Sequence, residues 1–342
     1  MIEKRSRSSI IMTVLAGVGL FAFATMASAQ SSMKMALDWN FEGHHSPYLL
    51  AADSGIFAKH GLAVTVDRGF GSGDTATKVA AGAYDVGIAD LGAVIAFNSK
   101  QGGNKLISIF QVYDVAPLAI MTLAANNIKT PADLRGKKLA SPPGDAARVL
   151  FPVLAKANNV DHTSVEWVDV TPPLRPSLLV QKKVDAVTTL TSEMLVYPNL
   201  GLKDEDLVVM RYSDFGVKLY GHAIITTPEY ANAHKKELTQ FVSAIVEAWR
   251  ATIKNPQPSI AVLKKRNELI DEKVESAKLA LMLREAIGTE DVRKRGFSSV
   301  DPARLKYTVD MVTQSLAIPP IDSASLYRAD FLPPQSELAY PQ

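Results

Sequence analysis

The 342-residue chain contains no cysteine. That absence excludes disulfides, thiolate metal ligands, a cysteine nucleophile and any acceptor for a lipid anchor. The chain also lacks a dominant charge, with 37 Lys and Arg set against 35 Asp and Glu. Part of the small positive excess sits in the first seven residues, so no nucleic acid or anionic membrane partner is indicated. The six histidines are scattered, without the His-Glu-x-x-His spacing of zinc enzymes. His44 and His45 are adjacent and point in different directions on a strand or loop, so no metal is expected. No serine stands in a Gly-x-Ser-x-Gly elbow, since Gly71-Ser72-Gly73 is too tight. Paired carboxylates from Asp90, Glu193 and Asp214 remain open as an alternative, which would make the chain an exported enzyme.

Long apolar runs are scarce, and the one present is N-terminal. Lys4, Arg5 and Arg7 precede an apolar stretch over 10–25, closed by Ala27, Ser28 and Ala29. This is the pattern of a secretory signal peptide over residues 1–29, cleaved near Gln30. The stretch falls short of the roughly 20 residues of a spanning helix. The expected location is the periplasm, with the mature chain soluble and unanchored. About 310 residues remain, above the size at which one core splits into two lobes. Hydrophobic residues at 47% and charged residues at 21% are ordinary for a globular protein.

Apolar runs and capped helical segments then alternate. Residues 33–39 read as a strand, and Ser46 and Pro47 as the start of a helix ending at Gly61. Strands at 63–66 and 86–89 are separated by a helix over 74–81, and another helix spans 91–100. The alternation predicts an α/β fold with largely parallel strands and helices on both faces. After Thr226 the pattern becomes helical, with Thr227-Pro228, Asn255-Pro256 and Asp301-Pro302 as starts, and residues 331–342 form an extended tail. One segment repeats in kind: 81–90 and 181–191 each carry a charged helix end into a short buried strand. Two lobes on one plan would set both strand ends at a shared cleft, where open α/β sheets bind ligands.

Gly69-Phe70-Gly71-Ser72-Gly73-Asp74-Thr75 follows a strand and opens a helix. Ala76 takes the third glycine position of a dinucleotide fingerprint, and this is not the first strand, so no nucleotide cofactor is expected. A loop offering backbone donors with Ser72 or Thr75 to a small ligand fits better. Asp74 and Asp145 complement helix dipoles as caps, which disfavours a doubly charged anion there. Trp39, Phe41, Glu42, His44, His45 and Tyr48 cluster after the first strand, where rings can stack on a planar ligand.

Several segments together resemble the solute-binding proteins of ABC importers. They are Leu37-Asp38-Trp39, Ala51-Ala52-Asp53-Ser54-Gly55-Ile56-Phe57, His60-Gly61-Leu62-Ala63-Val64, Gly71-Ser72-Gly73, the run over 78–87, the run over 128–138, and Val184-Asp185-Ala186. The branch includes binders of thiamine pyrimidine precursors, taurine, alkanesulfonates and nitrate. The resemblance implies a two-lobed, type 2 periplasmic-binding-protein fold, with hinge strands near 117–122 and 220–225. Lobe 1 would take 30–117, lobe 2 would take 118–222, and 223–342 would return to lobe 1. It implies a small-molecule ligand, an inner-membrane permease as partner, a monomer, and no cofactor.

Within the branch, Trp39, Asp90 and Glu193 resemble the pyrimidine-precursor binders, with Glu193 accepting N–H bonds from an aminopyrimidine. Asn40-Phe41-Glu42-Gly43-His44-His45 departs from the usual Pro-Asn-x-x-His stretch. Fungal pyrimidine synthases of this fold carry a cysteine-rich motif that is missing here. Arg148 and Arg175 are the cations that a sulfonate, nitrate or aromatic carboxylate would require. The expected ligand-binding set is Trp39, Phe41, His44, Tyr48, Ser72, Gly73, Asp90, Tyr113, Ser141, Gly144, Arg148, Arg175, Thr189 and Glu193. A sensor that docks a receptor instead of a permease carries the same signature.

Overall fold

Ten short strands form two five-stranded sheets in the computed structural model, which describes Met1 and residues 30–341. Apart from Met1, the predicted leader lies outside the described residues. The first sheet holds β1 (Ser31–Ala36), β2 (Leu62–Asp67), β3 (Val86–Asp90), β4 (Ile107–Gln111) and β10 (His222–Thr226), ordered β2-β1-β3-β10-β4. The second holds β5 (Leu118–Leu123), β6 (Lys138–Ser141), β7 (Glu166–Asp169), β8 (Ala186–Leu190) and β9 (Leu207–Arg211), ordered β7-β6-β8-β5-β9. In each sheet one strand runs antiparallel to its neighbours, β10 in the first and β5 in the second. These are the first strands laid down after the chain crosses between lobes.

The repeated segment read from sequence has a structural counterpart. β3 pairs with β1 and β10, while β8 pairs with β6 and β5, so both occupy the third position of their sheets. The crossings share residues 117 and 220–221 with the predicted hinge ranges and otherwise precede them, because 118–122 and 222–225 are already inside strands. Between them Ala116 N donates to Leu219 O at 2.9 Å and Gly221 N donates to Tyr113 O at 3.0 Å, binding the two connections together. Arg304 braces this hinge by donating to Asp114 Oδ1 at 2.5 Å and to the Asp114 carbonyl.

Several predicted helices are interrupted. The segment after Ser46 is two helices, Ser46–Asp53 and Ile56–Lys59, broken at Gly55 with φ +82°. Ser46 does not cap; its hydroxyl donates to Ser259 Oγ at 2.9 Å. The helix after Asp145 divides into Ala146–Val149 and Phe151–Ala157, with Pro152 in the second turn-start, since proline lacks the N–H a continuous helix requires. Pro228–Ala233 and Lys235–Lys254 are likewise separate. Leu91–Lys100 forms as predicted, with Asp90 Oδ1 accepting from Gly92 N. The tail contains short turns at Ala329–Phe331 and Gln335–Leu338.

The C-terminal helices close lobe 1. Lys235–Lys254 buries Phe241, Ile245 and Trp249, and Phe241 stacks on Phe57 with centroids 5.4 Å apart. Each such ring contributes about 1.5–3 kcal/mol through burial. The helix Glu272–Met282 buries Leu279 and Met282 in the same core while its other face reaches the lobe boundary. It comes so close to residue 43 that a Cβ there would overlap the Glu275 carbonyl oxygen, and only glycine fits. No helix among the described residues is long and apolar enough to cross a membrane.

Candidate functional site: the cleft between the lobes

On the lobe 1 side, the chain leaves β1 at Ala36 and turns, burying Asp38. Its carboxylate lies 3.0 Å from His45 Nε2 and 3.2 Å from His222 Nε2, and Tyr113 stacks on His222 with centroids 4.5 Å apart. Burial pushes Asp38 up, but His222 and the His45 hydrogen bond outweigh it and hold the carboxyl below its usual range. Burial pushes His222 down against the pull of Asp38, and pushes the unpaired His44 well down, so the His44 ring is held neutral.

On the lobe 2 side, Arg175 donates to Asp145 Oδ2 at 2.9 Å and to the Thr188 carbonyl at 2.6 Å. Asp145 Oδ1 also caps the helix Ala146–Val149 through Arg148 N. The Arg175 guanidinium carbon sits 4.5 Å from the Trp39 ring centre, a cation–π contact across the cleft. The rims touch as well, where Gly73 N donates to Gly144 O at 3.1 Å. Gly71 beside them has φ +127°, and a Cβ there would overlap the Gly144 carbonyl. The lobes are closed on each other.

The least expected part of the site is an ion cluster. Lys278 Nζ lies 2.6 Å from Glu193, 3.4 Å from Glu42 and 3.4 Å from Glu275. Glu42 belongs to lobe 1, Glu193 to lobe 2, and Glu275 and Lys278 to the helix Glu272–Met282. Gly43 N donates to Glu275 Oε2 at 2.6 Å, fixing that helix beside the cleft. Burial, then Glu193, push the Glu42 carboxyl well up, and Lys278 only partly offsets them. Burial also raises Glu275 against the pull of Lys278. At Glu193 burial is outweighed by Lys278, leaving its carboxyl below the usual range. Burial disfavours the Lys278 ammonium, but the three carboxylates raise its pKa on balance.

A narrow chamber with room for about one water lies between Trp39, Ser72, Arg175, Thr189, Glu193 and His222. It leads past Glu42 into a vestibule of about 1370 Å³ that includes the solvent at the mouth, bordered by Phe41, Pro172 and Lys278. The Thr189 hydroxyl is buried without a hydrogen-bond partner.

Six of the expected residues line these spaces: Trp39, Phe41, Ser72, Arg175, Thr189 and Glu193. Asp90 sits beneath them, its N–H donating to Ser72 Oγ and its carboxyl pushed up to about 7 by burial. Gly73 and Gly144 form the rim, and Ser141 is buried 2.6 Å from Thr188 Oγ1. Tyr113 and His44 lie behind the wall. Tyr48 is core, edge-on to Trp249 at 5.7 Å. Arg148 turns outward to Asp169 at 2.6 Å and stacks over Trp167, so it is no cleft cation. Asp214 is exposed on a turn and does not converge with Asp90 and Glu193. Sequence reasoning missed Lys278 and Glu275, because Glu-x-x-Lys on a helix reads as a solvated surface pair.

The family model described as NMT1/THI5 like matches residues 42–259. This chain belongs to the NMT1/THI5-like family. A similar protein is the formylaminopyrimidine-binding protein of Halalkalibacterium halodurans, 25% identical over 262 residues, covering 75% of this chain and 78% of that one. The 4-amino-5-hydroxymethyl-2-methylpyrimidine phosphate synthase of Legionella pneumophila is 23% identical over 145 residues, or 42% of this chain and 45% of that one. Among solved structures, the alkanesulfonate-binding protein SsuA from Xanthomonas axonopodis pv. citri superposes with a TM-score of 0.67 at 16% identity, covering 88% and 98% of the two chains. The NMT1/THI5-like chain thus has the two-lobed periplasmic-binding-protein fold anticipated from its sequence.

Proposed function

We propose that this protein is the solute-binding component of an ABC importer, working in the periplasm and delivering its ligand to an inner-membrane permease. It binds and releases without altering the solute, and its lobes span 30–117 with 223–342, and 118–222. The ligand is a small planar nitrogen heterocycle with amino donors, like the pyrimidine precursors of thiamine. One observation carries this ligand class: the buried part of the cleft holds more carboxylates than cations. Lys278 faces three carboxylates, and Arg175 is already paired with Asp145. An amino-bearing ring finds acceptors in Glu42 and Glu193, whereas a sulfonate or nitrate meets net negative charge. The formylaminopyrimidine-binding relative supports the same class. Arg175 also covers one face of Trp39, so an aromatic carboxylate cannot both stack on that face and pair with Arg175.

Isothermal titration with 4-amino-5-hydroxymethyl-2-methylpyrimidine, taurine, nitrate and benzoate tests the reading. The aminopyrimidine is expected to bind, and taurine or nitrate binding more tightly would reject the ligand class. Glu193→Gln is expected to weaken the aminopyrimidine by roughly 1.5–3 kcal/mol, the worth of a hydrogen bond to a charged group. Trp39→Ala should cost about 1–3 kcal/mol of affinity if its free face stacks on the ligand, and unchanged affinity would make the ring a packing element.

A further inference from the structure

The ion cluster is not symmetric across the hinge. Lys278, Glu275 and Glu42 stay together when the lobes part, because the helix Glu272–Met282 is anchored in the lobe 1 core by Leu279 and Met282 and held to residue 43 by the Glu275 bond. Glu193 follows β8 in lobe 2 and reaches Lys278 only in the closed form. Closing therefore adds a third carboxylate to a buried site with a single ammonium.

We propose that closure of the two lobes takes up one proton, shared between Glu42 and Glu193, so that Glu42 sets the pH range over which this protein captures its ligand. The proposal rests only on the two-lobed, closing part of the functional reading. The other charged groups around the pair are held by other partners or stand at the exposed mouth, as Arg68 does. His44 Nδ1 is 3.9 Å from Glu42, and its ring is held neutral by burial. Arg175 is held by Asp145, Arg266 by Asp53, and Arg68 donates to Asn40 at 3.3 Å. Tyr113 and Tyr197, whose phenols are raised by burial, stay neutral. The cation that arrives with Glu193, Arg175, already carries the Asp145 carboxylate, and two ionised carboxylates in one buried site repel each other.

The sign follows from the direction of the shift. With the lobes apart, Glu42 reverts toward the ordinary value of 4.5, while in the closed form burial and Glu193 raise it. The Glu42 contribution to closure is complete at that ordinary value and weakens as pH climbs from it through the raised one, by up to tenfold per pH unit, while the lowered Glu193 acts in the opposite sense only below it. Above the raised value the loss levels off.

The absence of cysteine makes this measurable in the full chain. A Cβ placed at Gly144 lies 3.9 Å from Asp74 Cβ across the rim, the separation found in a disulfide. Asp74→Cys with Gly144→Cys therefore crosslinks when the lobes shut. Oxidation rates are compared between about pH 5 and pH 9 for that pair alone and for the pair carrying Glu42→Gln, a neutral mimic of the protonated acid. Taking the ratio of the two rates cancels the thiols' own titration. The ratio is expected near one at the acid end, rising at least about tenfold by pH 8. Glu166→Gln, at an exposed carboxylate on β7, should hold the ratio at one throughout. A ratio that stays flat for Glu42→Gln overturns the proposal. No ligand is added, so such a result leaves the ligand class untouched, and a failed ligand screen leaves the proton coupling untouched.

Discussion

Replacing Lys278 with methionine is expected to lower the stability of the closed protein at neutral pH by about 3–5 kcal/mol, the usual result of removing one partner from a buried ion pair. Methionine fills a similar volume, so the deficit reports charge and not a cavity. Glu42, Glu193 and Glu275 would remain in a nearly buried site without a counter-ion. The molecule then has two ways out: it can protonate the carboxylates, or open the lobes and hydrate Glu193. Urea unfolding should therefore show a lower midpoint at pH 7 that recovers as pH falls toward the ordinary carboxylate value of 4.5. In the unaltered protein the raised Lys278 pKa contributes stability that is complete below the ordinary lysine value of 10.5 and is lost as pH rises beyond it. An unchanged midpoint at pH 7 would mean that the cluster is solvated, and the proton coupling proposed above would lose its basis.

The second large effect is expected at Asp145. Asp145→Ala strips Arg175 of its carboxylate, and that arginine is only 4% exposed. It also removes the cap of the helix Ala146–Val149. A loss of about 3–5 kcal/mol follows from the unpaired guanidinium, with roughly 1 kcal/mol more from the cap. Asp145→Asn keeps most of the cap and isolates the charge. The sharper test is the double variant Asp145→Ala with Arg175→Met, which removes both buried charges and should recover most of the loss. If the double variant is as unstable as the sum of its singles, the pair contributes nothing as a pair, and Arg175 is held by Thr188 and Trp39 alone.

Much of the architecture was legible because strand periodicity and helix caps are local. The strand at 86–89 and the helix at 91–100 needed only their own residues, and Asp90 caps as its position suggests. The helix interruptions at Gly55, Leu150 and His234 were less so, because a break of one or two residues hardly disturbs a hydrophobic period. In the site, Trp39, Ser72, Thr189 and Glu193 were reachable because each lies at or after the carboxyl end of a strand, where this class of fold gathers its ligand contacts. The two arginines were not separable by sequence. Arg148 and Arg175 both lie in the first turn of lobe 2 helices, yet one turns to Asp169 and the other to the cleft, a choice made by rotation about the helix axis. Lys278 was hidden for a different reason: its partners are 236 and 85 residues away in sequence, so no local pattern marks it.

The order of strands also dictates when each half of the molecule can be completed as the chain is made. Lobe 2 takes its five strands from one uninterrupted stretch, β5 to β9. Lobe 1 does not: β4 has β10 as its sheet partner, and that strand begins at residue 222, after all of lobe 2 has been made. An edge strand is left waiting, and the loop that must close to satisfy it spans a whole lobe. The half that is synthesised first is thus the last to finish, and the chain stays short of its final form until about two thirds of it has emerged.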